Sequence, residues 1–283
     1  MEPVSGAWVV LHRVGPDRAG PLDSLRSDAQ GRYRFEYVRS GSEDAVYFVS
    51  AMHGGVAYFT PPLVEPKIGG RAGEIAVFDT TSHRVPISIR GHHLVISAVD
   101  TRALRSVVEV FELSNDSSVT RIAASLRPEG ATWRTSILPS ASDFRVAQGD
   151  IPTDAVTYAN GLVTVFAPIA PGVKQISFSY SLPASSFPLR LPLEGRTDVY
   201  EILIEDQTGS ATAPNMNEVD PVSVEGRSFR RFLASNVPEN SVTVIDLPPA
   251  AAGRAIDPRF MIALTLVLGG AMIFTLARAL RGR

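Results

Sequence analysis

Residues 173–182 read VKQISFSYSL, and their alternation decides the fold class. Ile176, Phe178, Tyr180 and Leu182 recur at every second position, with Ser between them. Successive side chains of a strand point to opposite faces, so this period of two predicts a strand with one face buried. Val173 joins the apolar face if a small irregularity falls near Lys174. The same signature recurs outward in both directions. Residues 92–99 (HHLVISAV) and 106–114 (SVVEVFELS) are rich in β-branched side chains, which suit a pleated surface. Residues 187–193, 198–205 (DVYEILIE), 219–224, 228–234 and 241–247 form a further group. Turn signals such as residues 115–118 (NDSS) and Pro171-Gly172 separate the runs. Short strands at this spacing predict antiparallel sandwiches.

The chain has 283 residues, more than one small domain needs. The expected fold class is mainly β: tandem antiparallel β-sandwich domains, Ig-like or transthyretin-like, plus one C-terminal transmembrane α-helix. Residues 1–82 are expected to form the first sandwich. Residues 83–250 form a second region, either one sandwich or two split near residue 184. A hinge over 251–258, a membrane helix over 259–279 and a short tail over 280–283 complete the chain.

In the first region, residues 4–13 predict an opening strand. In residues 32–38 (RYRFEYV), Tyr33, Phe35 and Tyr37 alternate with Arg32, Arg34 and Glu36. Residues 45–52 (AVYFVSAM) suit a central strand, and residues 56–60 and 75–78 close the unit. The opening strand, residues 27–35 (SDAQGRYRF) with their Asp-x-x-Gly turn, and the AVYFVSA run resemble the carboxypeptidase regulatory-like domains over roughly residues 3–80. The resemblance implies a small transthyretin-like sandwich of about seven strands without an active site, serving structural support, adhesion or partner binding.

Residues 260–277 read FMIALTLVLGGAMIFTLA, 18 residues with no charge. At about 1.5 Å per residue that reaches the lower limit for crossing a hydrocarbon core of about 30 Å. Phe260, Ile262, Leu264, Leu266, Leu268, Ile273 and Phe274 are the expected membrane anchor. Thr265, Gly269, Gly270 and Ala271 are small, which lets a neighbouring helix approach closely. Asp257 as N-cap with Pro258 behind it is a well-formed helix start. Arg254, Asp257 and Arg259 precede the run, whereas Arg278, Arg281 and Arg283 follow it. The positive-inside rule then places the C-terminus in the cytoplasm and the β-domains in the periplasm. The opening residues MEPVSGAWVVLHR lack the basic and apolar regions of a signal peptide. That leaves a preceding leader or a tail-anchored chain, and the flanking charges favour the leader.

Chemistry is sparse in this sequence. The chain has no Cys, which excludes disulfides and thiolate chemistry, and a net charge of −2, which gives no global field for nucleic acid. No nucleotide-binding, zinc-protease or serine-hydrolase motif occurs. His92-His93 is the only histidine pair. Adjacent strand residues face opposite ways, so the two cannot share a metal without a bulge, and exposed or edge histidines are expected. Acidic residues gather at Asp143, Asp150 and Asp154, and at Glu205, Asp206, Glu218 and Asp220, without the spacing of a calcium loop. Arg227, Phe229, Arg230 and Arg231 mix cations with aromatics and are the candidate interface. No cofactor or metal is expected.

These features predict a non-enzymatic, membrane-anchored accessory or scaffold subunit of a larger bacterial inner-membrane complex. The host would be respiratory or photosynthetic, such as a reaction centre–light-harvesting assembly. Its partners would be integral membrane subunits and the lipid bilayer. The alternative is an anchored module that binds carbohydrate or another envelope ligand, for which Trp8 and Trp133 are the available tryptophans.

Overall fold

The computed structural model describes residues 2–63, 73–224 and 226–248. The chain is mainly β and divides into two compact units: Met1–Thr81 with Ser118–Thr120, and Ser82–Ser117 with Arg121–Arg283. The expected hinge over 251–258, the expected membrane helix over 259–279 with its anchor and small-residue positions, and the tail lie outside the described residues. Among the described residues no helix is long and apolar enough to cross a membrane.

The first unit is built on four strands: β1 (Trp8–Val14), β2 (Ala19–Arg26), β3 (Val46–His53) and β4 (Val56–Phe59). They form one antiparallel sheet in the order β2-β1-β3-β4. Alternation along β1 and β3 sends Val9, Leu11, Tyr47 and Val49 into a core shared with Phe35 and Leu63. The register of β1 with β2 shifts between Leu11 and His12, beside Pro21. Pro21 has no N–H to give, and an edge strand is where a sheet tolerates it.

Residues 32–38 form no regular strand among the described residues, contrary to their alternation. The alternation is nevertheless real in burial. Phe35 is buried, Tyr33 and Tyr37 are half-buried, and Arg32, Arg34 and Glu36 face water. An extended backbone alternates its side chains whether or not a neighbour pairs with it. This segment lies over the sheet, with Tyr37 stacked on Tyr47 at 4.7 Å. Residues 75–78, expected as a strand, are likewise irregular. The Asp-x-x-Gly turn is formed: Asp28 O accepts from Gly31 N–H at 3.0 Å, and the Asp28 carboxylate accepts from the Arg32 N–H at 2.8 Å. Gly31 sits at φ +69°, where a Cβ would lie 2.9 Å from Pro3 Cβ, so only glycine fits.

Residues 118–120 belong to this unit although they come later in the chain. Beside β5 (Thr80–Thr81), Thr120 N–H donates to Asp79 O at 2.7 Å, and its hydroxyl meets Tyr58 Oη at 2.7 Å.

The second unit is built on a seven-stranded sheet. Its members are β6 (Ile87–Ile96), β7 (Leu104–Asn115), β10 (Ser142–Val146), β13 (Gly172–Pro183), β15 (Thr197–Ile204), β17 (Met216–Val224) and β18 (Arg227–Val237). They lie in the order β10-β13-β7-β6-β15-β18-β17. Strands from both sides of residue 184 therefore share one sheet. The expectation of purely antiparallel pairing is corrected at its centre, where β15 runs parallel to β6 with Tyr200 beside His92. Both strands carry unbroken buried runs, Leu94-Val95-Ile96 and Ile202-Leu203-Ile204. Continuous apolar runs are what strands covered on both faces require.

A second layer completes the unit. It holds the sheet of β9 (Trp133–Ser136), β11 (Val156–Ala159) and β12 (Leu162–Val165), and the sheet of β14 (Leu189–Pro192), β16 (Ser210–Thr212) and β19 (Val242–Asp246). The short β8 (Thr120–Arg121) reaches this layer through the bridge from Arg121 to Ile169. Between the layers lies one core. Phe111 packs on Trp133 at 4.9 Å and on Phe178 at 5.9 Å, and Phe144 packs on Phe178 at 5.4 Å. β13 pairs with β7 over its whole length without a bulge, so no irregularity arises at Lys174. Val173 consequently lies on the opposite side from Ile176 and is 54% exposed.

Arg105 clamps the end of this sheet. Its side chain is fully buried. Its guanidinium donates to Ser97 O at 2.9 Å, to Asp206 at 3.2 Å and to Pro248 O at 2.8 Å. It thereby holds the last described residue of the chain to β6 and β7. Replacing Arg105 by Ala should destabilise the second unit by about 3–5 kcal/mol, the usual cost of stranding one partner of a buried pair. Urea unfolding of the full chain carrying Trp8→Phe, followed by Trp133 fluorescence, measures it.

Candidate functional site

The expected interface at residues 227–231 does not form one patch. Phe229 is fully buried in a small cluster with Val95, Val108 and Leu203, and that expectation is corrected. Strand alternation puts Arg230 and Arg231 on opposite faces. Arg227 reaches Glu205 at 2.5 Å, Arg230 reaches Glu218 at 2.7 Å, and Arg231 reaches Glu201 at 2.5 Å. These cations are matched within the chain. The same pairs absorb Glu205 and Glu218 from the acidic cluster, while Asp206 joins Arg105. Among the described residues no group of three or more potential ligands could hold a metal ion.

The histidine pair sits at the centre of the large sheet. His92 and His93 do face opposite ways, but each is only 5% exposed, which corrects the expectation of exposed or edge histidines. Each ties β6 to a different neighbour. His92 Nε2 lies 2.7 Å from a Glu109 oxygen on β7. Tyr180 Oη donates to the other Glu109 oxygen at 2.6 Å. On the opposite face His93 Nδ1 lies 2.7 Å from a Glu201 oxygen on β15. A carboxylate has no proton to give, so the imidazole N–H donates in both pairs. The remaining ring nitrogens, His92 Nδ1 and His93 Nε2, are buried without a hydrogen-bond partner. The His92 ring is stacked on Phe111 at 3.9 Å and on Tyr200 at 4.9 Å.

Burial acts on Glu201, on Glu112 and on Tyr180. It raises the Glu201 pKa, but hydrogen bonds and charge from His93 and Arg231 outweigh it and leave the group below its ordinary 4.5. Half-buried Glu112 is pushed up by burial, against a smaller pull from His93. Burial and then the Glu109 charge push Tyr180 well up, so its hydroxyl keeps the proton it donates.

An exposed apolar surface lies elsewhere, on the outer face of the first unit's sheet. The register sets Trp8, Val10, His12 and Val14 of β1 beside Val46, Phe48, Ser50 and Met52 of β3, with Phe59 of β4 next to Ser50. Trp8 is 43% exposed, Met52 46% and Phe59 58%. Val14 and Val46 are exposed on the same face. His12 stacks on Phe48 at 5.0 Å, and Phe48 meets the edge of Phe59 at 5.8 Å. Burial lowers the His12 pKa, which favours the neutral ring. Contiguous exposure of this kind makes the face a candidate for interaction. Sequence reading found the strands but missed this face, since both faces of β1 and β3 carry large apolar side chains. The signal was there in AVYFVSAM, whose outward positions are as apolar as its inward ones.

Glu201 generates a pH-dependence whose sign follows from its lowered pKa. The unfolded chain takes up the proton first as pH falls, so the contribution is complete above the unfolded pKa and disappears as pH drops through the folded one. Denaturant unfolding between about pH 7 and about pH 3 should show stability falling below about pH 4.5. Glu201→Gln should be less stable near neutrality and should have a flatter acid limb. An unchanged slope in that variant would remove Glu201 as the cause. No protein-family model matches the chain, and no curated protein is found to be similar to it.

Proposed function

We propose that the protein is a non-enzymatic accessory subunit of a bacterial inner-membrane complex, anchored by the apolar run over 260–277 and docked to a partner through its first unit. The apolar outer face of the β2-β1-β3-β4 sheet carries this reading. Trp8, Met52 and Phe59 leave water only if another surface covers them, and burial of that apolar area supplies about 25 cal/mol per Å2. The chemistry of the face favours a protein surface over a sugar. Sugars need hydrogen-bonding groups beside the aromatic rings, whereas here Ser50 Oγ is engaged with His12 Nε2 at 2.8 Å. The remaining neighbours on β1 and β3 are aliphatic or Met. Arg26 sits over the Trp8 ring at 5.4 Å, occupying one face on which a sugar would stack.

The resemblance of residues 3–80 to carboxypeptidase regulatory-like domains agrees with a partner-binding role, as does the anchor's patch of Thr265, Gly269, Gly270 and Ala271. In this reading the tandem sandwiches stand in the periplasm, the C-terminus is cytoplasmic, and the partners are integral membrane subunits and lipid, not nucleic acid. A carbohydrate- or envelope-ligand module is the second reading, favoured by the grouping of Trp8, Phe48 and Phe59 on one face.

Native membranes solubilised in mild detergent should carry the protein at the size of a complex. Phe59→Asp and Met52→Asp, at exposed positions that leave the core intact, should release it as a folded monomer. A wild-type monomer, or variants that stay in the complex, would sink the docking proposal. A specific glycan-array signal lost in Trp8→Ala would instead establish the second reading. Protease added to intact spheroplasts should degrade the β-units, and full protection would reverse the orientation.

A further inference from the structure

A cleft of about 410 Å3 opens in the second unit, lined by residues of β6, β7, β9 and β14. Its volume falls in the range that small ligands occupy. His92, Phe111 and Trp133 line it, and so do Arg84, Arg121 and Arg134. Most of the described arginines elsewhere in this unit sit on carboxylates, as Arg90 does on Asp116 and Asp198. Among the described residues none of the three cleft arginines forms an ion pair. Arg121 is fixed in place without being neutralised. It donates to Val85 O at 2.8 Å and to Ala131 O at 3.1 Å. Burial, and then the positive charge of Arg84, lower its pKa. Arg84 lies near enough for its charge to act on Arg121, and among the described residues neither forms an ion pair, which is the arrangement an anionic ligand relieves.

Three acids share the lining, and two are already engaged. Glu109 is saturated by Tyr180 and His92. Glu194 accepts from the Ser136 hydroxyl at 2.5 Å. Glu129, the third, also lines the cleft. The apolar share of the lining sets Phe111 and Trp133 beside the aliphatic Ile87, Ile89, Leu191 and Leu193, and the orphaned Nδ1 of His92 belongs to a ring that is part of the cleft. We infer that this cleft binds a small organic anion, a carboxylate carried on a flat apolar body, with the carboxylate toward Arg84 and Arg121 and the body against Trp133. Arg presents paired N–H donors that match a carboxylate.

The test uses the full chain in detergent micelles. Trp8→Phe leaves Trp133 as the single tryptophan of the two in the chain. Sodium benzoate should change the Trp133 emission saturably below about 10 mM, a weak site by the usual affinity arithmetic. Benzamide, the same body without the charge, should not. Arg84→Glu should weaken benzoate at least about tenfold, which corresponds to about 1.4 kcal/mol. Arg134→Gln, on the adjoining strand, gives an independent reading if Arg84→Glu lowers the thermal midpoint. No saturation by that concentration, equal binding of benzamide, or full affinity in folded variants would overturn the site. None of these outcomes bears on the docking face of the first unit.

Discussion

Two neighbouring histidines on β6 hold the centre of the large sheet. Because adjacent strand residues face opposite ways, His92 and His93 reach different carboxylates, Glu109 on β7 and Glu201 on β15. One dipeptide thus fastens its strand to both neighbours, once on each face. These bonds lie among buried aliphatic and aromatic residues, where an ionised carboxylate without partners is strongly disfavoured. Register follows from this. A slip of one residue would carry each imidazole away from its acid and place both carboxylates against hydrocarbon. The parallel entry of β15 beside β6 in the large sheet is pinned at this point.

The same requirement explains how the rest of the second unit treats its charges. Arg105, Arg227, Arg230 and Arg231 each meet an acid, and the fully buried Arg105 also caps backbone carbonyls at the sheet end. A chain with no Cys has no covalent means of holding strand ends together, and ion pairs with backbone acceptors take that place here. The arginines around the cleft depart from the pattern. The first unit distributes its surface differently: its polar pairing is concentrated at Arg13, which donates to Asp17, Arg18 O and Ser40 O, while its outer sheet face stays apolar. The two units therefore offer different surfaces, one apolar and open, one charged and recessed.

Much of the β architecture was legible in local patterns. VKQISFSYSL became β13, SVVEVFELS became β7 and DVYEILIE became β15, each within one or two residues at both ends. The stretch RYRFEYV was legible in burial and not in pairing, because alternation reports which way side chains point and is silent on which strand lies alongside. For the same reason the Arg227–Arg231 cluster misled. Cations and aromatics adjacent in sequence alternate between two faces, and each arginine met an acid from another strand.

Alternation and turn residues by themselves determined that this chain makes many strands with buried faces, and the uncharged run over 260–277 determined the expectation of an anchor. Only the tertiary structure decided strand order, the parallel contact of β6 with β15, the burial of His92 and His93, and which apolar face of the first sheet remains open. The physical reason is range. A strand's period is set by its own backbone, whereas a partner acid such as Glu201 lies 108 residues from His93, and no local pattern encodes that meeting.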